Sequence, residues 1–480
     1  IRSFCMTETK TNTRMAMIGC LFLMFAITSY GLSLSTIQGP ILEGLNGSDY
    51  FALLTLLSSI GMCVTTPVGG RLTDMMHIPK LLLYAGGVSI VSGLGMTFIP
   101  NLWVFIICRV LLALSQGIYA SLPFIIVRKI YPPKDSPKAM GYLAMVTAAG
   151  ALLGSFLAGW LADMGLMKMA IAFPLVAQVL GMFFICKYFD EDPTQSFSMD
   201  YAGIILLTIA LSGLLLGLNN GPAEGWFSRS VIFSFASGII GLLAFIYWEN
   251  KAKMPIVPMQ MLKIKEYSLL LIIGFCLMFY MNAMNVYMPL AVQHILQAGS
   301  AAAGALQTPK TIVTLIAPAL AGAWVMKKTS NLWKALFYAA VLIAVPFAFL
   351  IFTGVHMPLW AIMTLLAVTG ISDSLRTVAL IPAAQSFLKP EDMGIGTSLV
   401  GFITTLSGSI SAAFFGLAYN ALTKEVPGLR GETNGIDTIC LMTCIIAVVA
   451  ALLVVLFFRP MLEARIAQKQ QEAKEAEASK

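Results

Sequence analysis

Between positions 15 and 458 the chain is a succession of apolar stretches, each about twenty residues long, separated by short polar connections. No other feature constrains the fold so tightly. A bilayer core about 30 Å thick is crossed by roughly 20 apolar residues in a helix, where every backbone hydrogen bond closes inside the segment. Only 11% of residues are charged and the mean hydropathy is +0.84, whereas about a quarter of the residues in soluble domains are charged. The chain is therefore read as an all-α integral membrane protein with no soluble domain. The runs are solidly apolar and lack the alternation of a membrane β-barrel.

The polar punctuation places fourteen spans, at 15 to 38, 50 to 70, 81 to 99, 102 to 128, 139 to 160, 169 to 188, 201 to 219, 230 to 249, 267 to 291, 303 to 326, 333 to 353, 358 to 385, 394 to 418 and 436 to 458. Lys and Arg crowd one set of connections, including Arg71, Lys80, Arg128, Lys129, Lys263, Lys265, Lys327 and Lys328. The other set holds only Lys168, Arg229, Lys424 and Arg430. This positive-inside asymmetry puts both termini in the cytoplasm of a cell membrane. The net charge of +7 then belongs to the inner surface, suited to anionic lipid and not to nucleic acid.

The eight cysteines are scattered without a CxxC or a His-paired cluster, and read as packing residues rather than disulfides or metal ligands. The first apolar run has no cleavage pattern and is expected to be retained as a span. The charged, Ala-rich tail RIAQKQQEAKEAEASK reads as a frayed helix, and Asn46-Gly47-Ser48 has the form of a glycosylation sequon in an outer loop.

Connections after spans two and ten, GGRLTDMMHIPK (69–80) and GAWVMKKTS (322–330), both follow a Pro-containing helix, open on small residues and carry basic residues. Such weak internal symmetry is a mark of transporters. It divides the chain into a tail at 1–14, a six-helix bundle at 15–188, a two-span insertion with linkers at 189–266, a second six-helix bundle at 267–458 and a tail at 459–480.

GGRLTDMMHIPK resembles the cytoplasmic loop signature of the major facilitator superfamily, with Gly70, Arg71, Asp74 and Lys80 at the matching places. QGIYASLPFIIVRKIYPPKDSPKAMG (116–141) and IPAAQSFLKPEDMGIGTS (381–398) resemble passages of its fourteen-span drug:proton antiporter branch. The resemblance implies two bundles rocking about a midplane cavity, and a latch in which the four residues hold one state. In span five, Gly150, Gly154 and Gly159 keep the small-residue spacing of the antiporter signature and suit close helix packing. Ser155 and Ala158 replace its proline and a glycine, Ala113 stands where the branch has a span-four arginine, and span one carries no acidic residue.

Four ionisable residues fall well inside predicted spans: Arg109, Lys310, Asp373 and Arg376. Each costs about 2.5 to 3.5 kcal/mol at mid-bilayer on insertion scales, so they should face protein or water. Asp373 and Arg376 lie one turn apart on one helix face, with the cation stabilising the carboxylate and desolvation opposing it. Asp373 with Arg376 is thus the candidate proton site, set against a plain neutralised pair. Lys310 lies among Gln307, Thr311 and Thr314, a polar stripe that suggests a wet cavity, although a snorkelling lysine fits the same position. Asn282 and Asn285 sit among Met278, Tyr280, Met281, Met284 and Tyr287, an adaptable surface for apolar ligands or ordinary core. Gln116 joins Arg109 as a cavity candidate in span four.

Three interior cations against one carboxylate favour an anionic or neutral amphiphile, whereas the resemblance implies lipophilic cations. The expected function is proton-coupled export of an amphiphilic small molecule by alternating access, from a monomer in the bilayer with no cofactor or metal. The alternatives are an organic-anion carrier or exchanger and, less favoured, a non-transporting receptor. Nucleophile elbow, metal cluster and phosphate loop are all missing from the sequence, which argues against an enzyme.

Overall fold

A computed structural model of the chain describes residues 12–47, 50–132, 134–190, 200–252, 255–257, 259–298, 306–351, 357–389, 392–425 and 428–478. Among these there is no strand. Ser48 of the sequon lies outside the described residues, as does His356.

The membrane-length helices are α1 (Thr13–Gly44), α2 (Phe51–Met75), α3 (Ile78–Phe98), α4 (Leu102–Ile130), α5 (Ser136–Asp163), α6 (Met167–Tyr188), α7 (Tyr201–Glu224), α8 (Arg229–Glu249), α9 (Lys265–His294), α10 (Thr308–Met326), α11 (Asn331–Leu350), α12 (Leu359–Ser386), α13 (Met393–Glu425) and α14 (Leu429–Leu453). Thirteen of them contain stretches long and apolar enough to cross a membrane among the described residues. The 25-residue α2 occupies the place of the remaining expected span.

Polar punctuation in the sequence becomes helix capping. The side chains of Asn12, Asn101, Asp200 and Ser228 accept hydrogen bonds from backbone N–H groups in the first turns of α1, α4, α7 and α8. This satisfies donors that have no partner within the helix. Two helices break where proline interrupts the ladder. α4 loosens at 120–121 ahead of Pro123, and α9 passes through a π turn at Ala283–Tyr287 just before Pro289. Span nine is therefore not one regular helix. The tail also departs from expectation: α14 continues through a second π turn (Val454–Phe458) into a helix at Arg459–Ala478. That helix is not frayed at its root. The Arg465 guanidinium lies 4.4 Å from the Phe387 ring centroid and donates to the Ser386 carbonyl at 3.0 Å.

The chain forms two compact units. The first comprises Ile1–Pro132, Met145–Met261 and Leu388–Phe402; the second comprises Pro133–Ala144, Leu262–Phe387 and Ile403–Lys480. In the first, α1 packs on α6, α4 on α2 and α3, and α7 on both α8 and α2. Its core gathers Tyr30, Leu34, Ile37, Phe105, Leu112 and Leu175. In the second, α12 packs on α10 and α11, and α14 on α9 and α11. Large apolar side chains such as Val91, Ile240, Leu320 and Trp360 remain exposed on the helix surfaces, as lipid contact requires.

None of the seven cysteines among the described residues forms a disulfide.

Candidate functional site

In the second unit α12 carries the polar centre. Gly370 lies one turn before Asp373, and a Cβ there would come within 2.9 Å of the Lys310 carbonyl oxygen and 3.1 Å of Val313. Its lack of a side chain lets α10 close on α12. The closure brings the Lys310 ammonium 2.8 Å from Asp373 Oδ2, with side chains 9% and 18% exposed. Arg376 Nε stands 3.7 Å from Asp373 Oδ1. The short partner of the carboxylate is thus on the neighbouring helix, because a helix neighbour three positions on reaches it only obliquely. Arg376 also reaches the Thr377 hydroxyl, at 3.4 Å.

Tyr280, from the end of the regular part of α9, completes the group. Its hydroxyl accepts from Lys310 Nζ at 3.1 Å and lies within electrostatic reach of Asp373. The ammonium also stands 5.1 Å from the centroid of the Tyr280 ring. Lys310 sits in the first turn of α10, where the helix dipole disfavours a cation, so Asp373 offsets both that field and the loss of water. At 8% exposure Lys310 does not snorkel. Asp373 Oδ1 and Arg376 Nε are buried and make no hydrogen bond among the described residues. The group is compact, hydrogen-bonded on one oxygen of the carboxylate and only ion-paired, to Arg376, on the other.

The remaining cavity candidates distribute differently. Gln307 Nε2 donates to the Met284 carbonyl at 3.5 Å, beside the cluster. The Thr314 and Thr311 hydroxyls donate back into α10, at 2.8 and 3.1 Å, so the polar stripe is largely satisfied by its own helix. Asn282 ties α9 to α13, donating to the Gly408 carbonyl at 2.5 Å and the Ser411 hydroxyl at 2.8 Å. The π turn that follows it sets Asn285 apart, on an exposed face. Arg109 and Gln116 belong to α4 in the first unit; the Nε of the one and the Nε2 of the other are buried without a hydrogen-bond partner among the described residues.

The loop signature forms a second centre, within the first unit. Asp74 is 2% exposed, and its two oxygens accept from the Gly394 N–H at 2.9 Å and the Ile395 N–H at 3.1 Å. A carboxylate thereby meets the positive end of α13 and satisfies two of its first-turn donors. Glycines make the approach feasible. A Cβ on Gly394 would lie 2.5 Å from Asp74 Oδ1 and 2.6 Å from the Gly70 carbonyl, and one on Gly70 would lie 2.9 Å from the Gly394 carbonyl. Arg71 is buried within electrostatic reach of Asp74, Asp392 and Glu249. Lys80 is exposed in the first turn of α3 and stays outside this contact.

The span-five glycines differ from one another. Cβ atoms on Gly150 and Gly154 would come within 2.9 and 2.8 Å of the Phe25 and Ser29 backbones of α1, and the Ser29 hydroxyl donates to the Gly150 carbonyl at 3.1 Å. Gly159 meets only Thr36, at an ordinary 3.8 Å.

Two residues escaped the sequence reading. Tyr280 was visible only as part of an aromatic and methionine surface, and Glu249 only as the end of a span; neither has a sequence signal that predicts its partner.

Comparison with known proteins bears on the chain as a whole. The Major Facilitator Superfamily profile matches residues 17–412. The multidrug transporter protein MdtP of Bacillus subtilis (strain 168) is 25% identical over 421 residues, 86% of this chain and 77% of its own. Multidrug resistance protein 3 of the same organism is 22% identical over 442 residues, 89% and 85% of the two chains. Among solved structures, the human organic anion transporter MFSD10 (TETRAN) superposes with a TM-score of 0.59 at 14% identity, covering 91% of this chain and 98% of that one.

Proposed function

Because the chain belongs to the major facilitator superfamily, a family of membrane transporters, we propose that it is a proton-coupled secondary transporter that exports an amphiphilic small molecule by alternating access. The six-helix bundles at 15–188 and 267–458, with 189–266 as an insertion, are the working parts of this reading. It places the monomer in the cell membrane with both termini cytoplasmic. The similarity to a multidrug transporter protein and a multidrug resistance protein of Bacillus subtilis supports multidrug export.

The observation that carries the proposal is the buried Lys310–Asp373–Arg376 group with Tyr280. In it Asp373 Oδ2 holds Lys310, while Oδ1, ion-paired to Arg376 but without a hydrogen bond among the described residues, is the position at which a proton arrives. Protonation there removes the counter-charge of two cations and frees Lys310 to reorient. Tyr280 keeps the ammonium in place while the carboxylate is ionised. Asn282, Gln307, Arg109 and Gln116 are assigned to the substrate path, with Asn285 and Thr314 at its margin. Gly70, Arg71 and Asp74 form the latch on α13, and Lys80 flanks it.

One observation favours a second reading: with ordinary ionisation the cluster holds two cations against one carboxylate. In an organic-anion carrier Lys310 and Arg376 would bind the substrate and Asp373 would only neutralise.

The test is purified protein in liposomes containing a pH-sensitive dye, with cationic, neutral and anionic amphiphiles added to wild type and to Asp373→Asn. Substrate-evoked proton movement that vanishes in the variant is the expected result. Proton movement that survives assigns Asp373 to structure, and anion transport without proton movement favours the carrier.

A further inference from the structure

Two exposed apolar stripes on neighbouring helices of the second unit end in cations that meet at one indole. On α11 the exposed Val345 and Tyr338 lead, at helical spacing, to Lys334 in the first turn. On α14 Leu441, Ile445, Leu452 and Leu456 form the matching stripe, and Arg459 follows it at the end of the second π turn. The two helices pack on one another, and α11 also packs against the π turn itself. A π turn adds a residue to a helix and rotates what comes after it. Arg459 comes directly after, and its guanidinium lies 4.9 Å from the centroid of the Trp333 ring. The Lys334 ammonium lies 5.8 Å from the same centroid.

Donors outnumber acceptors at this point. The Trp333 indole N–H is buried and makes no hydrogen bond among the described residues. Lys334 has no acidic partner among them. Arg459 has one, the exposed Glu463, which takes only its Nε, at 3.1 Å. Two cations and an indole N–H therefore face a single carboxylate, and what the group lacks is a set of acceptor oxygens. A phosphate supplies them together with the missing negative charge.

The surroundings distinguish a lipid phosphate from a free one. A dissolved ion needs no apolar surface, yet each cation heads an exposed stripe of apolar side chains. From Lys334 to Val345 the stripe runs about 16 Å at 1.5 Å per residue, close to the half-thickness of a bilayer core of about 30 Å. Basic side chains between spans at the positive surface recognise anionic headgroups, and Trp and Tyr belong at headgroup depth.

We propose that Lys334, Arg459 and Trp333 form a binding site for the phosphate of an anionic phospholipid whose acyl chains lie along the exposed faces of α11 and α14. The site uses none of the residues of the Asp373 cluster or the latch, and it stands whether or not transport is coupled to protons.

The experiment is native mass spectrometry of the purified, delipidated full chain in detergent, with phosphatidylglycerol or phosphatidylcholine titrated in. Wild type should hold one phosphatidylglycerol in preference to phosphatidylcholine. A variant carrying both Lys334→Gln and Arg459→Gln should bind phosphatidylglycerol more weakly by roughly tenfold, with phosphatidylcholine little changed. A control carrying Lys187→Gln and Lys251→Gln removes the same charge from two other cations seated on aromatic rings, those of Phe183 and Tyr247, and should bind as wild type does. An equal loss in the control would reduce the effect to surface charge and overturn the proposal, as would unchanged binding in the first variant. Displacement of phosphatidylglycerol by millimolar inorganic phosphate would overturn the lipid assignment in favour of a free phosphate. If the double variant does not fold, Lys334→Gln alone leaves the Arg459–Glu463 pair intact and should weaken binding several-fold; no loss there would refute the site.

Discussion

Removing one partner of the Lys310–Asp373 pair tests whether the cluster is a compensated unit. The contact is 2.8 Å long between side chains 9% and 18% exposed, so each charge has exchanged most of its water for the other. Breaking such a pair from one side costs about 3 to 5 kcal/mol, because the survivor is left buried without compensation. The two single changes are not equivalent here. Lys310→Met leaves Asp373 with Arg376 at 3.7 Å and belongs near the low end. Asp373→Asn strands two cations and belongs near the high end. For a folding unit of roughly 200 residues, about 2 to 4 °C of melting temperature accompanies each kcal/mol. Lys310→Met should thus lower it by about 6 to 12 °C and Asp373→Asn by about 10 to 20 °C. The double variant should melt no lower than Asp373→Asn alone, since it strands only Arg376. The assay is tryptophan fluorescence during a thermal ramp in detergent, with the elution profile checked on a sizing column. A double variant that falls by the sum of the singles, or singles that do not shift at all, would refute the reasoning.

Three other changes probe the first unit. Gly394→Ala places a methyl 2.5 Å from Asp74 Oδ1 and should cost about 1 to 3 kcal/mol by overpacking while slowing transport several-fold, read as initial rates in liposomes at equal protein content; an unchanged rate would remove this contact from the transport cycle. Gly154→Leu should abolish expression of folded protein, because its Cβ alone meets the Ser29 backbone at 2.8 Å, whereas Gly159→Leu should express normally; fluorescence-detected sizing of the two decides it.

The helical membrane architecture was legible because hydropathy acts locally: each apolar run specifies its own helix and is long enough to do so alone. Asp74 was legible as a latch residue through the resemblance of its loop, but not its partner, the N-terminus of α13, which lies 320 positions on in the chain. The same limit applied at Asp373. Helical spacing pointed to Arg376, and the closer partner came from α10 through a gap left by Gly370, a contact that depends on how two helices pack. Asn285 stands apart from Asn282 for a local reason, since the π turn shifts the helical register between them.

Substrate charge and the direction of coupling are linked through this cluster. With Lys310 and Arg376 cationic, protonating Asp373 makes the site more positive. A proton at Oδ1 must therefore weaken the binding of a cation and strengthen that of an anion, and by reciprocity a bound cation expels the proton while an anion retains it. Antagonism between proton and substrate is what export against an inward proton gradient needs. If Asp373 is the carrier, exported compounds are then cationic or present a partially positive end, despite the excess of basic side chains around it. An anionic substrate would instead move together with the proton. If Asp373 is the carrier, the cluster allows neither proton-coupled antiport of an anion nor symport of a cation, and observing either would place the proton site on another residue.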